Sequence, residues 1–89
     1  MIKKTVTITN KFGLHARPAA MFVTAAAQFQ SEVFLVRDRL RVNGKSIMGV
    51  MMLAAERGTE LTIEIDGPDE EAAMERLVAV IESRFGEPG

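Results

Sequence analysis

Residues 60–66 read ELTIEID, with the apolar side chains Leu61, Ile63 and Ile65 at every second position. A strand turns successive side chains to opposite faces, so this segment can bury one side only. Residues 2–9, IKKTVTIT, repeat the pattern, with Ile2, Val6 and Ile8 on one face and Thr5, Thr7 and Thr9 on the other. Residues 32–37, EVFLVR, and 39–43, RLRVN, read as two further strands that meet in a hairpin near Asp38. One-sided strands need a cover on one face and leave the other to water.

Helices must supply that cover. Residues 16–28 carry Ala19, Phe22, Val23, Ala26 and Ala27 at helical spacing. Residues 70–84 carry the stripe Ala73, Met74, Leu77, Val78 and Ile81, continued by Phe85. Glu70 and Glu71 suit the positive end of this helix, and Asp69 or a neighbour is its expected cap. Between them IMGVMMLAA predicts a short helix ending near Gly58, a residue suited to follow a C-cap. The order β-α-β-β-α-β-α predicts an α+β open-faced sandwich. At 89 residues the chain is expected to form one domain over 1–89. The Asp38-Arg39 hairpin lacks the usual Asn-Gly or Asp-Gly pair, so another turn type is expected there.

Several functions are excluded on composition. Net charge is −1, from 11 basic and 12 acidic residues, which argues against nucleic-acid binding driven by bulk charge. The chain has no cysteine and one histidine, which rules out thiolate sites and argues against a zinc site, since such sites usually need several N or S ligands. No metal and no cofactor are called for. No apolar run approaches a membrane span, and MIKKTVTITN holds no secretory apolar segment, so no membrane insertion and a cytoplasmic location are expected.

The single histidine lies in GLHARPAA, residues 13–20. Proline is favoured in a first helical turn, so Pro18 sets the helix start close to residues 15–17. The free N–H groups of that turn are electropositive, and Arg17 adds a planar donor fork. Ala16, Arg17 and Pro18 therefore outline a place for an anion, with phosphate its usual guest. Such surroundings disfavour protonating His15, and a neutral imidazole is a nucleophile. The arrangement is suited to receiving a phosphoryl group and passing it on. The motif itself holds no carboxylate to activate a water, so hydrolysis is not expected.

The second helix has no polar face. Ile47, Val50, Met51 and Ala54 fall on one side, and Met48, Met52 and Ala55 on another. A domain of this size cannot surround it, so Val50 and Leu53, with Ile47 or Met51, should face the core and some methionines should face water. An exposed methionine patch suits contact with several partners. Ser46 stands at the expected N-cap. A phosphate added there would place about two negative charges beside that patch.

GLHARPAA and VNGKSIMGVMML (42–53) together resemble the active-site and regulatory-serine motifs of the histidine-containing phosphocarrier (HPr) family. That family serves the bacterial phosphoenolpyruvate-dependent sugar phosphotransferase system. The resemblance runs over essentially the whole chain. It implies a four-stranded antiparallel sheet covered on one face by three helices. It implies that His15 accepts phosphate on Nδ1 from enzyme I and hands it to sugar-specific enzyme IIA proteins, with Arg17 holding the phosphoryl oxygens. Such a chain is a monomeric carrier with a phosphohistidine intermediate rather than a stand-alone enzyme. Ser46 would be the target of an HPr kinase/phosphorylase, and partners would dock on Ala20, Thr24, Ile47, Met48, Met51 and Met52. ITNKFGLHARPA is also similar to the nitrogen-related regulatory paralogue, and Phe12 stands where sugar-transport members often carry a small polar residue. A small interaction module with no covalent role for the histidine is the third reading.

Overall fold

Alternation is realised as a sheet with one dry face. The computed structural model describes residues 1–87; residues 88 and 89, the end of the expected 1–89 unit, lie outside the described residues. The strands are β1 (Ile2–Thr7), β2 (Glu32–Arg37), β3 (Leu40–Asn43) and β4 (Glu60–Asp66). They pair antiparallel in the order β1-β4-β2-β3. Leu61 stands opposite Val6, and Ile63 opposite Leu35. These residues, with Ile65, Val33 and Val42, are buried. On the other face Glu64 receives Arg41 (2.9 Å) and Lys3 (3.7 Å), and the Arg41 guanidinium lies 3.6 Å from the Phe34 ring centre.

Three helices close the dry face: α1 (Ala16–Ala26), α2 (Ile47–Met52) and α3 (Glu70–Glu82). Phe22 of α1, Val50 of α2 and Leu77 and Ile81 of α3 are buried over the sheet. Ala19, Ala26 and Ala73, all fully buried, add little bulk of their own to this layer. The fold is the open-faced α+β sandwich that the periodicities predict.

Element ends depart from expectation for identifiable reasons. The first strand stops at Thr7 rather than residue 9, although Ile8 keeps backbone bonds with Gly58 and Thr59. The first helix stops at Ala26 rather than 28. The second ends at Met52, well short of Gly58, with Ala54 in the left-handed region (φ 50°). Arg37 reaches from β2 and donates Nη1–H to the carbonyls of Leu53 (2.8 Å) and Ala54 (2.9 Å), satisfying the helix end from outside. Gly58 instead turns the chain into β4. The third helix ends at Glu82, not 84, and a tight turn, Arg84–Gly86, follows with Phe85 still buried. In the hairpin, Asp38 takes the left-handed conformation (φ 54°) and Arg39 does not. Among the described residues no helix is long and apolar enough to cross a membrane.

Asp69 stands at the N-cap of α3, yet its side chain does not cap. Its carboxylate accepts the N–H of Gln30 (2.8 Å) and Ser31 (2.9 Å) and the Ser31 hydroxyl, clamping the α1–β2 loop to the start of α3. Those donors, the Ser31 hydroxyl first, hold the Asp69 carboxyl below the usual carboxylate range. A carboxylate favoured by the fold contributes stability above its ordinary pKa of 3.8 and loses it as pH falls through the lowered folded value. Urea midpoints measured from about pH 5 to about pH 2.5 should therefore drop more steeply for the wild type than for Asp69→Asn. Parallel curves would show that the clamp contributes nothing to acid stability.

Candidate functional site

The site is assembled by the loop between β1 and α1. Asn10 is fully buried, and its Nδ2–H donates to the Gly13 carbonyl (2.7 Å), folding the loop on itself. Gly13 is left-handed (φ 69°) and pressed against the chain leaving α2. A Cβ there would lie 2.3 Å from the Ala55 carbonyl oxygen. Leu14 is buried and donates its N–H to that same oxygen (2.8 Å).

Pinned in this way, the loop delivers His15 to the N-cap of α1. His15 has extended backbone (φ −79°, ψ −172°), and its carbonyl accepts the first helical N–H, from Ala19 (3.0 Å). Its side chain makes no cap bond and is 42% exposed. The N–H groups of Ala16 and Arg17 make no hydrogen bond among the described residues. Pro18 is buried, has no N–H and sets the helix entry. Arg17 is exposed and has no ion pair among the described residues. Lys11, Phe12, His15, Ala16, Arg17 and Glu87 line one open hollow.

Glu87 is the residue that local motifs miss. Its Oε2 lies 3.1 Å from His15 Nε2, and its Oε1 accepts Asn10 Nδ2–H (3.2 Å). A carboxylate does therefore reach the histidine, from 72 residues further along the chain, and the ring's surroundings are mixed rather than wholly positive. In the neutral ring Nε2–H donates to Glu87. That selects the tautomer in which Nδ1 carries the lone pair. Phe12 stands edge-on to the imidazole, with ring centres 6.1 Å apart. No nearby spacing advertises Glu87. The one clue is that an acid follows the last stripe residue, Phe85, after a glycine.

Beside this hollow, α1 and α2 pack together. Ser46 Oγ accepts the Gly49 N–H (3.1 Å) as the cap of α2. Lys45 Nζ donates to the Phe29 carbonyl (2.7 Å), tying the cap region to the chain leaving α1. Val50 and Leu53 are buried, whereas Ile47 and Met51 are both exposed, so neither joins the core face as expected. Met48 and Met52 are exposed as well, and on α1 Thr24 is exposed and Ala20 half-buried. Met21 also opens to solvent, beside Ala20 and Thr24 in a hollow shared with Arg76 and Val80 of α3. Among the described residues no three His, Cys, Asp or Glu side chains converge as a metal site would require.

The family model described as "PTS HPr component phosphorylation site" matches residues 2–83. The phosphocarrier protein HPr of Treponema pallidum is 51% identical over 87 residues, covering 98% of this chain and 99% of that one. The HPr-like protein Crh of Bacillus subtilis is 49% identical over 82 residues, covering 92% of this chain and 96% of its own. A crystal structure of HPr from Thermoanaerobacter tengcongensis superposes with a TM-score of 0.96 at 47% identity, each chain fully covered. A dimeric HPr from the same organism superposes at 0.79 with 48% identity, covering 98% of this chain and all of the other.

Gly13 is where this site is most sensitive to bulk. Gly13→Ala forces a Cβ into the Ala55 carbonyl at a left-handed backbone position. It should cost about 1–2 kcal/mol for the conformation alone, before the clash. Chemical denaturation is the check, and a midpoint unchanged from wild type would contradict the packing described.

Proposed function

The chain belongs to the HPr family of phosphotransferase-system phosphocarriers, and we propose that it takes a phosphoryl group from phospho-enzyme I onto His15 and passes it to sugar-specific enzyme IIA proteins. The observation that carries this reading is the imidazole at the open N-terminus of α1. Its Nε2 is engaged by Glu87, while Arg17 and the amides of Ala16 and Arg17 have no partner among the described residues. In the proposed step the Nδ1 lone pair attacks phosphorus. The bond from phosphorus to the donor nitrogen breaks as the bond to Nδ1 forms. The proton on Nε2 stays in place, so the phosphorylated ring is cationic and the Glu87 carboxylate balances it. A ring protonated at Nε2 is a good leaving group, which keeps the transfer reversible. Arg17 and the two amides receive the phosphoryl oxygens, where charge gathers in the transition state.

Docking is assigned to Ala20, Thr24, Ile47, Met48, Met51 and Met52, with Met21 added. A single chain acting in the cytoplasm fits this reading, since Lys11, Phe12, His15, Arg17 and Glu87 form the hollow within one chain. Ser46 is proposed as the regulatory site for an HPr kinase/phosphorylase. Phosphate there would displace the cap bond to Gly49 and set two charges against Ile47 and Met48. A second reading, the same relay serving regulation, draws on Phe12 and on the similarity to the HPr-like Crh proteins. The acceptor that takes the phosphate decides between the two.

Incubation with enzyme I and phosphoenolpyruvate should add one acid-labile phosphate, lost in His15→Ala. Label that persists in that variant overturns the assignment. Arg17→Glu should slow transfer by roughly 100-fold or more, the scale of one lost transition-state donor, with the fold intact. Glu87→Gln, which can keep the bond from the ring but loses the charge and the bond from Asn10, should slow acceptance, because the cationic phosphorylated ring loses its counter-charge. Ser46→Asp should raise the KM for phospho-enzyme I while circular dichroism is unchanged, and an equal KM removes the gating role.

A further inference from the structure

The chain has six methionines and no cysteine, tyrosine or tryptophan, so thioethers are its principal oxidisable groups. Their distribution is uneven. Met48 is 77% exposed, Met52 65%, Met51 42% and Met21 40%, and all four lie on α1 and α2. Met1, also exposed, is elsewhere, with its terminal amine beside Asp66 and Glu70. Met74 is the one buried methionine, 8% exposed in the core. Three of the four clustered thioethers sit on a helix of six residues whose outward side is almost wholly apolar. Nothing in the packing of the core uses Met48 or Met52.

We infer that Met48 and Met52 are sites of reversible oxidation to the sulfoxide, which lowers the affinity of the α1–α2 surface for its phosphoryl-transfer partners. The inference rests on the phosphocarrier reading above. The oxidant is a peroxide. A sulfur lone pair attacks one peroxide oxygen and the O–O bond breaks. A sulfur–oxygen bond forms, and the second oxygen leaves as water. Sulfur loses two electrons and the peroxide gains them. A dithiol reductant reverses the step, taking the oxygen away as water and closing to a disulfide. Each conversion turns a flexible apolar group into a polar, chiral one. On a patch that holds partners by soft apolar contact, that change removes the basis of binding while leaving the core and His15 untouched.

The full chain is treated with hydrogen peroxide. Oxidation is located by mass spectrometry, and transfer from phospho-enzyme I is measured before and after. Met48 and Met52 should oxidise ahead of Met51 and Met21, with Met74 last. The KM for phospho-enzyme I should rise about tenfold with kcat at saturation retained, and treatment with methionine sulfoxide reductase and dithiol should restore it. In Met48→Leu/Met52→Leu the ratio of oxidised to untreated KM should fall towards one, whatever the starting value. Loss of affinity that tracks Met1 oxidation, or an equal ratio in the double variant, overturns the proposal. If untreated protein accepts phosphate and the fully oxidised protein matches it, the oxidation site alone is wrong. If untreated protein accepts none, the phosphocarrier reading falls and the proposal with it.

Discussion

The site depends on one close approach, the seating of Gly13 and Leu14 on the Ala55 carbonyl. Through it the entrance of α1 and the exit of α2 become one rigid unit. The histidine is carried by the first and the apolar patch by the second. Their relative position is therefore set by backbone contact rather than by long side chains, which would give more play. The hollow and the apolar patch keep one relative position because neither element is free to slide past the other.

Around that contact, buried polar groups specify geometry more than they add stability. Asn10 spans the loop, bonding Gly13 with one N–H and Glu87 with the other, and so holds the carboxylate against the loop. Arg37 acts similarly at a distance, reaching from the sheet to end α2 at the point where the chain must turn back toward Gly13.

The layout of strands and helices was legible because each element's period matches the side it buries. Leu61, Ile63 and Ile65, and the stripe from Ala73 to Ile81, could be placed without knowing their neighbours. The outward methionines of α2 followed from counting, since too few residues exist to wrap a helix on all sides. What could not be read depends on partners distant in sequence. Gly58 carried the right signal for a turn but the wrong assignment, because the end of α2 is decided by Arg37. Asp69 looked like a cap and is a clamp, because Ser31 and Gln30 offer better-placed donors. Glu87 was invisible because its meeting with His15 requires the whole fold between them. Ile47 and Met51 face outward because six residues of helix give only a narrow inward face, which Val50 fills and Leu53 extends.

The carboxylate at the histidine arrives by way of Arg84, Phe85 and Gly86, all with positive φ (58°, 55° and 75°). Two non-glycine residues in that region lie above their conformational minimum by about 1–2 kcal/mol each, and burial of the Phe85 ring offsets this. The buried ring thus anchors a short left-handed turn whose exit sets Glu87 between Asn10 and His15, so the carboxylate is placed by the packing of Phe85 and not by the helix that precedes it.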